Sequence, residues 1–179
     1  MSATPSTGTD RLTNLLGAFV TAVGDDMERA LERELGTGAA GPAALLALDT
    51  WPHCSIEFLA SVLGLSHSGT VRLVDRLVRD DLAERGPGAD GRTAALRLTG
   101  AGRARVRKAR GARHQVLRDV FEGMSEAECR VLGRVLDRVL RRPPRSRHEA
   151  RHCCRFCDHT VCRDRDCPIG SSVYADPAA

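Results

Sequence analysis

Leu65-Ser66-His67-Ser68-Gly69-Thr70-Val71-Arg72-Leu73-Val74-Asp75-Arg76-Leu77-Val78 decides the fold. Ser66 can cap a helix whose apolar residues Val71, Val74, Leu77 and Val78 recur at helical spacing, while His67, Ser68, Arg72, Arg76 and Arg79 mostly lie elsewhere on its circumference. Just before it, Ser55 can cap another helix carrying Ile56, Leu59, Ala60 and Leu63, and Gly64 can stop that helix. Helix, glycine-containing turn and capped second helix form the helix-turn-helix pattern, which presents its second helix to a DNA groove.

Downstream, Leu82 to Arg85 and Thr93 to Leu98 are strand candidates joined by Gly86-Pro87-Gly88-Ala89-Asp90-Gly91, a loop dense in turn residues. A basic hairpin behind a helix-turn-helix is a wing, with Arg92 near its tip and Arg97 at its base. Thr99 can cap a fifth helix running to about Phe121. Ser125-Glu126-Ala127-Glu128 is a capping box for a sixth, which carries Val131, Leu132, Val135, Leu136 and Val139 and ends before Pro143-Pro144.

Upstream, Leu12, Leu15, Leu16, Phe19, Val20, Val23, Met27, Ala30, Leu31 and Leu35 predict one long amphipathic helix closed by Gly36-Thr37-Gly38. Such a stripe ahead of the compact part needs a partner, and a second subunit is one. Gly41-Pro42 opens a short helix that ends near Trp51-Pro52. The expected architecture is mainly helical with a small β-hairpin wing: a winged helix-turn-helix between dimerisation helices, plus a small cysteine-rich tail. The expected divisions are a disordered 1–9, a winged-helix dimer domain over 10–142, a basic linker over 143–151, a metal-binding segment over 152–170 and a disordered 171–179.

Charge is segregated along the chain. Ser66 to Arg118 carries 13 basic residues against 5 acidic, and Arg141 to Cys167 carries 8 against 4, whereas Met1 to Leu65 carries 3 against 8. A polyanion would meet the basic blocks; an arginine-rich solvated face is the bland alternative. The first ten residues lack the basic end and apolar run of an export signal, and no stretch is apolar enough to span a bilayer, so the expectation is a cytoplasmic protein without a membrane partner.

The run quoted above, with Leu82-Ala83-Glu84-Arg85 and then Asp90-Gly91-Arg92 ahead of Leu98-Thr99-Gly100-Ala101-Gly102, resembles the MarR family of winged-helix repressors over roughly Asp10 to Arg141. Val71 stands where many members have Thr, and Gly91 where a second basic residue is common. The resemblance implies a homodimer joined through its first and last helices, binding double-stranded operator DNA of pseudo-palindromic sequence. Ser66, His67, Ser68 and Thr70 are short polar groups at a helix N-terminus, able to approach base edges or phosphates, and Arg72 and Arg76 reach further. Arg92 is the natural minor-groove finger, with Asp90 placed to hold it; for Asp75 an ion pair within the protein is the simpler role. The family often has an effector pocket near the dimer interface, which makes Trp51, His53 and Cys54 candidates for sensing an unidentified small-molecule, metal or redox effector; simple packing is the alternative.

Cys154-x2-Cys157-x4-Cys162-x4-Cys167 puts four thiols into fourteen residues, the spacing of a retroviral-type zinc knuckle with Cys where that module has His and Val161 where it has Gly. Four thiolates can close a tetrahedral zinc site, with His152, Cys153 and His159 as alternative ligands. An iron-sulfur cluster and a thiol switch compete for the same cysteines. The leading functional class is a transcriptional regulator, most often a repressor in this family, whose tail is structural or sensing. The second is an autonomous RNA- or protein-binding tail. An enzyme is not expected, because no phosphate loop, nucleophile elbow or carboxylate pair is present.

Overall fold

The computed structural model describes residues 8–88, 94–141, 146–163 and 167–169. In chain order these form α1 (Gly8–Leu35), α2 (Gly41–Thr50), α3 (Ile56–Leu63), α4 (His67–Arg79), β1 (Ala83–Pro87), β2 (Ala94–Leu98), α5 (Gly100–Asp119), α6 (Glu126–Leu140), α7 (Arg147–Cys154) and α8 (His159–Arg163).

Local chemistry sets the helix-turn-helix. Ser55 Oγ accepts from the Phe58 N–H at 3.1 Å, opening α3. Gly64 ends it in the left-handed region at φ 68°, where a side chain would be strained. Two residues later Ser66 Oγ accepts from Gly69 N–H at 3.2 Å and starts α4. The turn is therefore fixed at both ends by short-range bonds, and α4 buries Thr70, Leu73, Val74 and Leu77 against the rest.

Strands β1 and β2 pair antiparallel from Ala83 opposite Leu98 to Pro87 opposite Ala94. The loop after α2 adds a third rung: His53 N–H donates to Leu96 O at 2.8 Å, and Leu96 N–H to Cys54 O at 2.9 Å. Thr99 caps α5 by accepting from Gly102 N–H at 2.9 Å, and its hydroxyl donates to Asp81 O at 2.6 Å. Gly102 is required there, since a Cβ would stand 2.0 Å from the Leu82 carbonyl oxygen. Leu35, Leu45, Leu46, Leu48, Leu59, Val62, Leu77, Leu96 and Val106 form the centre of one core shared by α1 to α5 and the hairpin.

Two helices do not bury their apolar stripes within the protomer. The first half of α1 leaves Leu12, Leu15, Leu16, Phe19 and Val20 exposed, and only Ala30, Leu31 and Leu35 near its end are buried. Helix α6, opened by the expected capping box on Ser125 and Glu128, buries none of its residues and exposes Val131, Val135, Leu136, Val139 and Leu140.

The segment after α6 departs from the sequence reading. Residues 147–151, expected within a basic linker, are helical: Ser146 Oγ accepts from Glu149 N–H at 3.1 Å and starts α7, which packs on α3 with Ala150 fully buried. A polar helix with one alanine facing the core forms because a tertiary surface receives it, not because of its own periodicity. No helix among the described residues is long and apolar enough to cross a membrane.

Candidate nucleic-acid interface and cysteine segment

At 100° per residue the buried row of α4 leaves Ser68, Arg72, Asp75 and Arg79 along its outward face, with Ser66 and His67 exposed at the N-terminal end. His67 Nε2 lies 3.2 Å from Glu57 Oε1, both groups well exposed, so a phosphate could take the place of Glu57 at His67. The Glu57 carboxyl sits below the usual carboxylate range, held first by its own backbone N–H, then by Ser55, with His67 a smaller contributor.

Thr70 is a correction. It is 0% exposed, and its hydroxyl donates to the Ser66 carbonyl oxygen at 3.0 Å, so it packs the helix and reaches no base edge. Its place beside Leu73, Val74 and Leu77 on the inner row makes it a core residue. Arg76 is exposed but leans toward the loop between α1 and α2: a Cβ at Gly38 would lie 3.9 Å from both of its terminal nitrogens. Arg79, placed off the apolar side from the sequence but not named there as a DNA contact, shares the outward row with Ser68 and Arg72 at i, i+4, i+11 spacing. Asp90 and Arg92 lie outside the described residues.

Asp75 pairs with Arg85 of β1 at 2.7 Å, tying the recognition helix to the wing, and Arg97 pairs with Glu84 across the hairpin at 3.0 Å. The charge count of the middle block overstates its DNA-facing part. Arg103 donates to Leu98 O at 2.8 Å, Arg105 to Leu35 O at 2.9 Å at the end of α1, and Arg110 binds Asp49 at 2.9 Å and Cys157 O at 3.3 Å. These guanidiniums close carbonyls that helix ends and loops leave open.

Trp51 and Cys54 are buried, while the His53 side chain is exposed on a backbone at φ 66°. Trp51 meets Phe58 edge-on at 5.6 Å and His159 at 5.1 Å. Burial pushes the Cys54 thiol up to about 12, so this cysteine is a small packing group rather than a nucleophile. A cleft of about 1220 Å³ opens elsewhere, between Met27 and Leu31 of α1, Val116 and Asp119 of α5, and Arg155 with Phe156 of the tail. Trp51, His53 and Cys54 do not line it.

In the tail, the buried Cys154 thiol and that of Cys157 are hydrogen-bonded to one another. The Cys154 hydrogen bond, followed by the positive charges of Arg113 and Arg110, draws the Cys157 thiol down to about 6, against its own burial. Cys154 moves the opposite way, first through its bond to Cys157 and then through burial and the nearby Cys157, Cys167 and Cys153. The two thiols are therefore shifted in opposite directions by their mutual contact. Cys153 is exposed. His152 Nδ1 lies 2.9 Å from Val62 O and His159 Nε2 lies 3.1 Å from Cys154 O, so each places a ring nitrogen on backbone rather than among the sulfurs. Among the described residues no three His, Cys, Asp or Glu side chains are gathered as a metal site, and the side chain of Cys162 lies outside the description.

A capped helix-turn-helix presenting a polar and basic row, followed by a two-stranded hairpin, defines the winged-helix fold. The MarR family model matches residues 42–93, which cover nearly all of α2 and the whole of α3, α4 and β1. Rv1404 from Mycobacterium tuberculosis is 27% identical, with 75% of this chain and 94% of that one covered at a TM-score of 0.65. The reduced form of MarR from E. coli is 25% identical, with 70% and 96% covered at 0.58. YusO from Bacillus subtilis, at 16% identity, 78% and 99% coverage and 0.64, shares the fold. No curated protein matches the chain in sequence. The chain is thus similar to the MarR family over residues 42–93 and has the winged-helix fold of these solved structures.

Proposed function

We propose that the protein represses transcription as a homodimer on a pseudo-palindromic operator, with one α4 in the major groove at each half-site. The observation that carries this reading is the unpartnered apolar stripe on both α1 and α6, at the two ends of the winged-helix unit. A two-fold interface over those stripes would bury them and set two α4 helices side by side, so that the half-site spacing follows from the dimer. Ser66, His67, Ser68 and Arg72 supply the base and phosphate contacts, and Arg92 reaches the minor groove. The test is sedimentation of the free protein together with its complex on an operator duplex and on one half-site. Two chains per full operator with weak half-site binding is expected; one chain bound equally well to both would overturn the reading.

In the same reading the tail binds zinc through Cys154, Cys157, Cys162 and Cys167. Support comes from the spacing and from the paired sulfurs of Cys154 and Cys157. Arg110 and Arg113 beside Cys157 would offset thiolate charge, and zinc would fix the geometry of a segment with few apolar residues. Metal analysis of anaerobically purified protein tests it: one zinc per chain, lost in Cys154→Ser and Cys162→Ser, is expected. Iron with sulfide and broad visible absorption would replace zinc by a cluster, and metal-free protein would leave the dithiol.

A further inference from the structure

The sequence reading allowed an autonomous tail. The structure instead seats the cysteine segment on the DNA-reading unit. Ala150 and Cys154, one helical turn apart on α7, are buried in the same core as Leu59, Val62 and Leu63 of α3. The Arg151 guanidinium lies 4.7 Å above the Phe58 ring. His152 Nδ1 is 2.9 Å from Val62 O, and its ring borders the turn itself, since a Cβ at Gly64 would come within 3.5 Å of it. Beyond α7, Arg110 joins the Cys157 carbonyl to Asp49 of α2, and His159 packs on Trp51.

We propose that this seat is a regulatory contact, in which the cysteine segment braces the turn between α3 and α4 and transmits its own state to operator affinity. The path runs from Cys154 through Ala150 and His152 to Val62 and Gly64, and from there to Ser66, which starts the recognition helix. Helix α4 begins three residues after Gly64, with Ser66 as its cap, so a shift at the end of α3 moves Ser66, His67 and Ser68 with it. Packed elements of this kind switch between discrete arrangements rather than deform smoothly. The seated state holds α4 in its DNA-reading pose, and losing the seat weakens binding. The inference rests on the zinc reading only for the agent that holds Cys154 and Cys157 in place.

The test uses the full chain, bound to its selected operator duplex and followed by fluorescence anisotropy. Wild type is compared, zinc-loaded and chelator-stripped, with Ala150→Arg, which fills the seat, and with Arg151→Ala, which removes the contact with Phe58 and keeps every cysteine. Zinc content and amide exchange at Val62, Leu63 and Leu65 are read on the same samples. Stripping should weaken wild-type binding on the order of tenfold. Ala150→Arg should bind at the stripped level with or without zinc, with faster exchange at the end of α3, and Arg151→Ala should fall between. Should Ala150→Arg not fold, Arg151→Ala decides. Folded variants with wild-type or tighter affinity would overturn the seat, and so would zinc loss that leaves wild-type affinity unchanged. Zinc-free wild type whose affinity still falls in Ala150→Arg would keep the seat and remove the zinc reading.

Discussion

Phe19→Ala probes the assembly on which the DNA-binding mode depends. Phe19 is 46% exposed on the α1 stripe, between Leu16 and Val20, which are also exposed. Covering that exposed part removes roughly 100 Å² of apolar surface, or about 2.5 kcal/mol at about 25 cal/mol per Å². A two-fold interface uses each residue twice, so the loss doubles to about 5 kcal/mol per dimer, roughly several thousandfold in dimer dissociation constant. Sedimentation equilibrium across a concentration series measures this directly, with circular dichroism showing that the helices remain. Operator binding should weaken in step, because each half-site then pays separately for association. A dimer constant within about threefold of wild type, in a folded variant, would refute the reasoning and place the interface elsewhere.

Other consequences separate the DNA-facing arginines from the structural ones. Arg72→Ala should cost about 1–3 kcal/mol of operator affinity and, if its partner is a phosphate, reduce the salt slope by about one; Arg105→Ala should leave the slope alone and lower stability, since the Leu35 carbonyl loses its donor. Gly102→Ala should destabilise by about 2 kcal/mol or more in urea unfolding, because its Cβ meets the Leu82 backbone, whereas Gly111→Ala, with open space around it, should stabilise by up to about 1 kcal/mol. Cys54 should resist alkylation in native protein at mildly alkaline pH while exposed Cys153 reacts. With its native thiol at about 12 against an ordinary 9.0, the unfolded chain loses the Cys54 proton first. Stability should therefore decline above about pH 9, a slope that Cys54→Ala removes.

The fold was readable wherever local chemistry and periodicity agreed. Ser55, Gly64, Ser66, Thr99 and Ser125 each occupy the cap position that their spacing suggested, and the apolar stripes of α1 and α6 stand where the repeats put them. Helix α7 was not readable, because Ser146 to Cys154 offers only Ala150 and Cys154 as an apolar pair, and its order depends on Phe58 and Val62 some ninety residues away. The outward row of α4 was partly legible. Ser68 and Arg72 face outward, but Thr70 shares the inner row, a distinction that residue type alone does not make and helical phase does. Net charge misled for a related reason: Arg103, Arg105 and Arg110 serve carbonyls within the fold, and a count of basic residues cannot tell such a guanidinium from one that meets phosphate.

Selection of duplexes from a random pool by the full-length protein, at near-physiological salt, tests sequence-specific operator recognition by a symmetric dimer. The expected outcome is enrichment of one two-fold-symmetric motif, its half-site centres about one helical turn or a multiple apart, with enrichment greatly reduced for Arg72→Ala. Duplexes recovered without a shared motif, or an asymmetric motif recovered equally well by Arg72→Ala, would contradict recognition through α4.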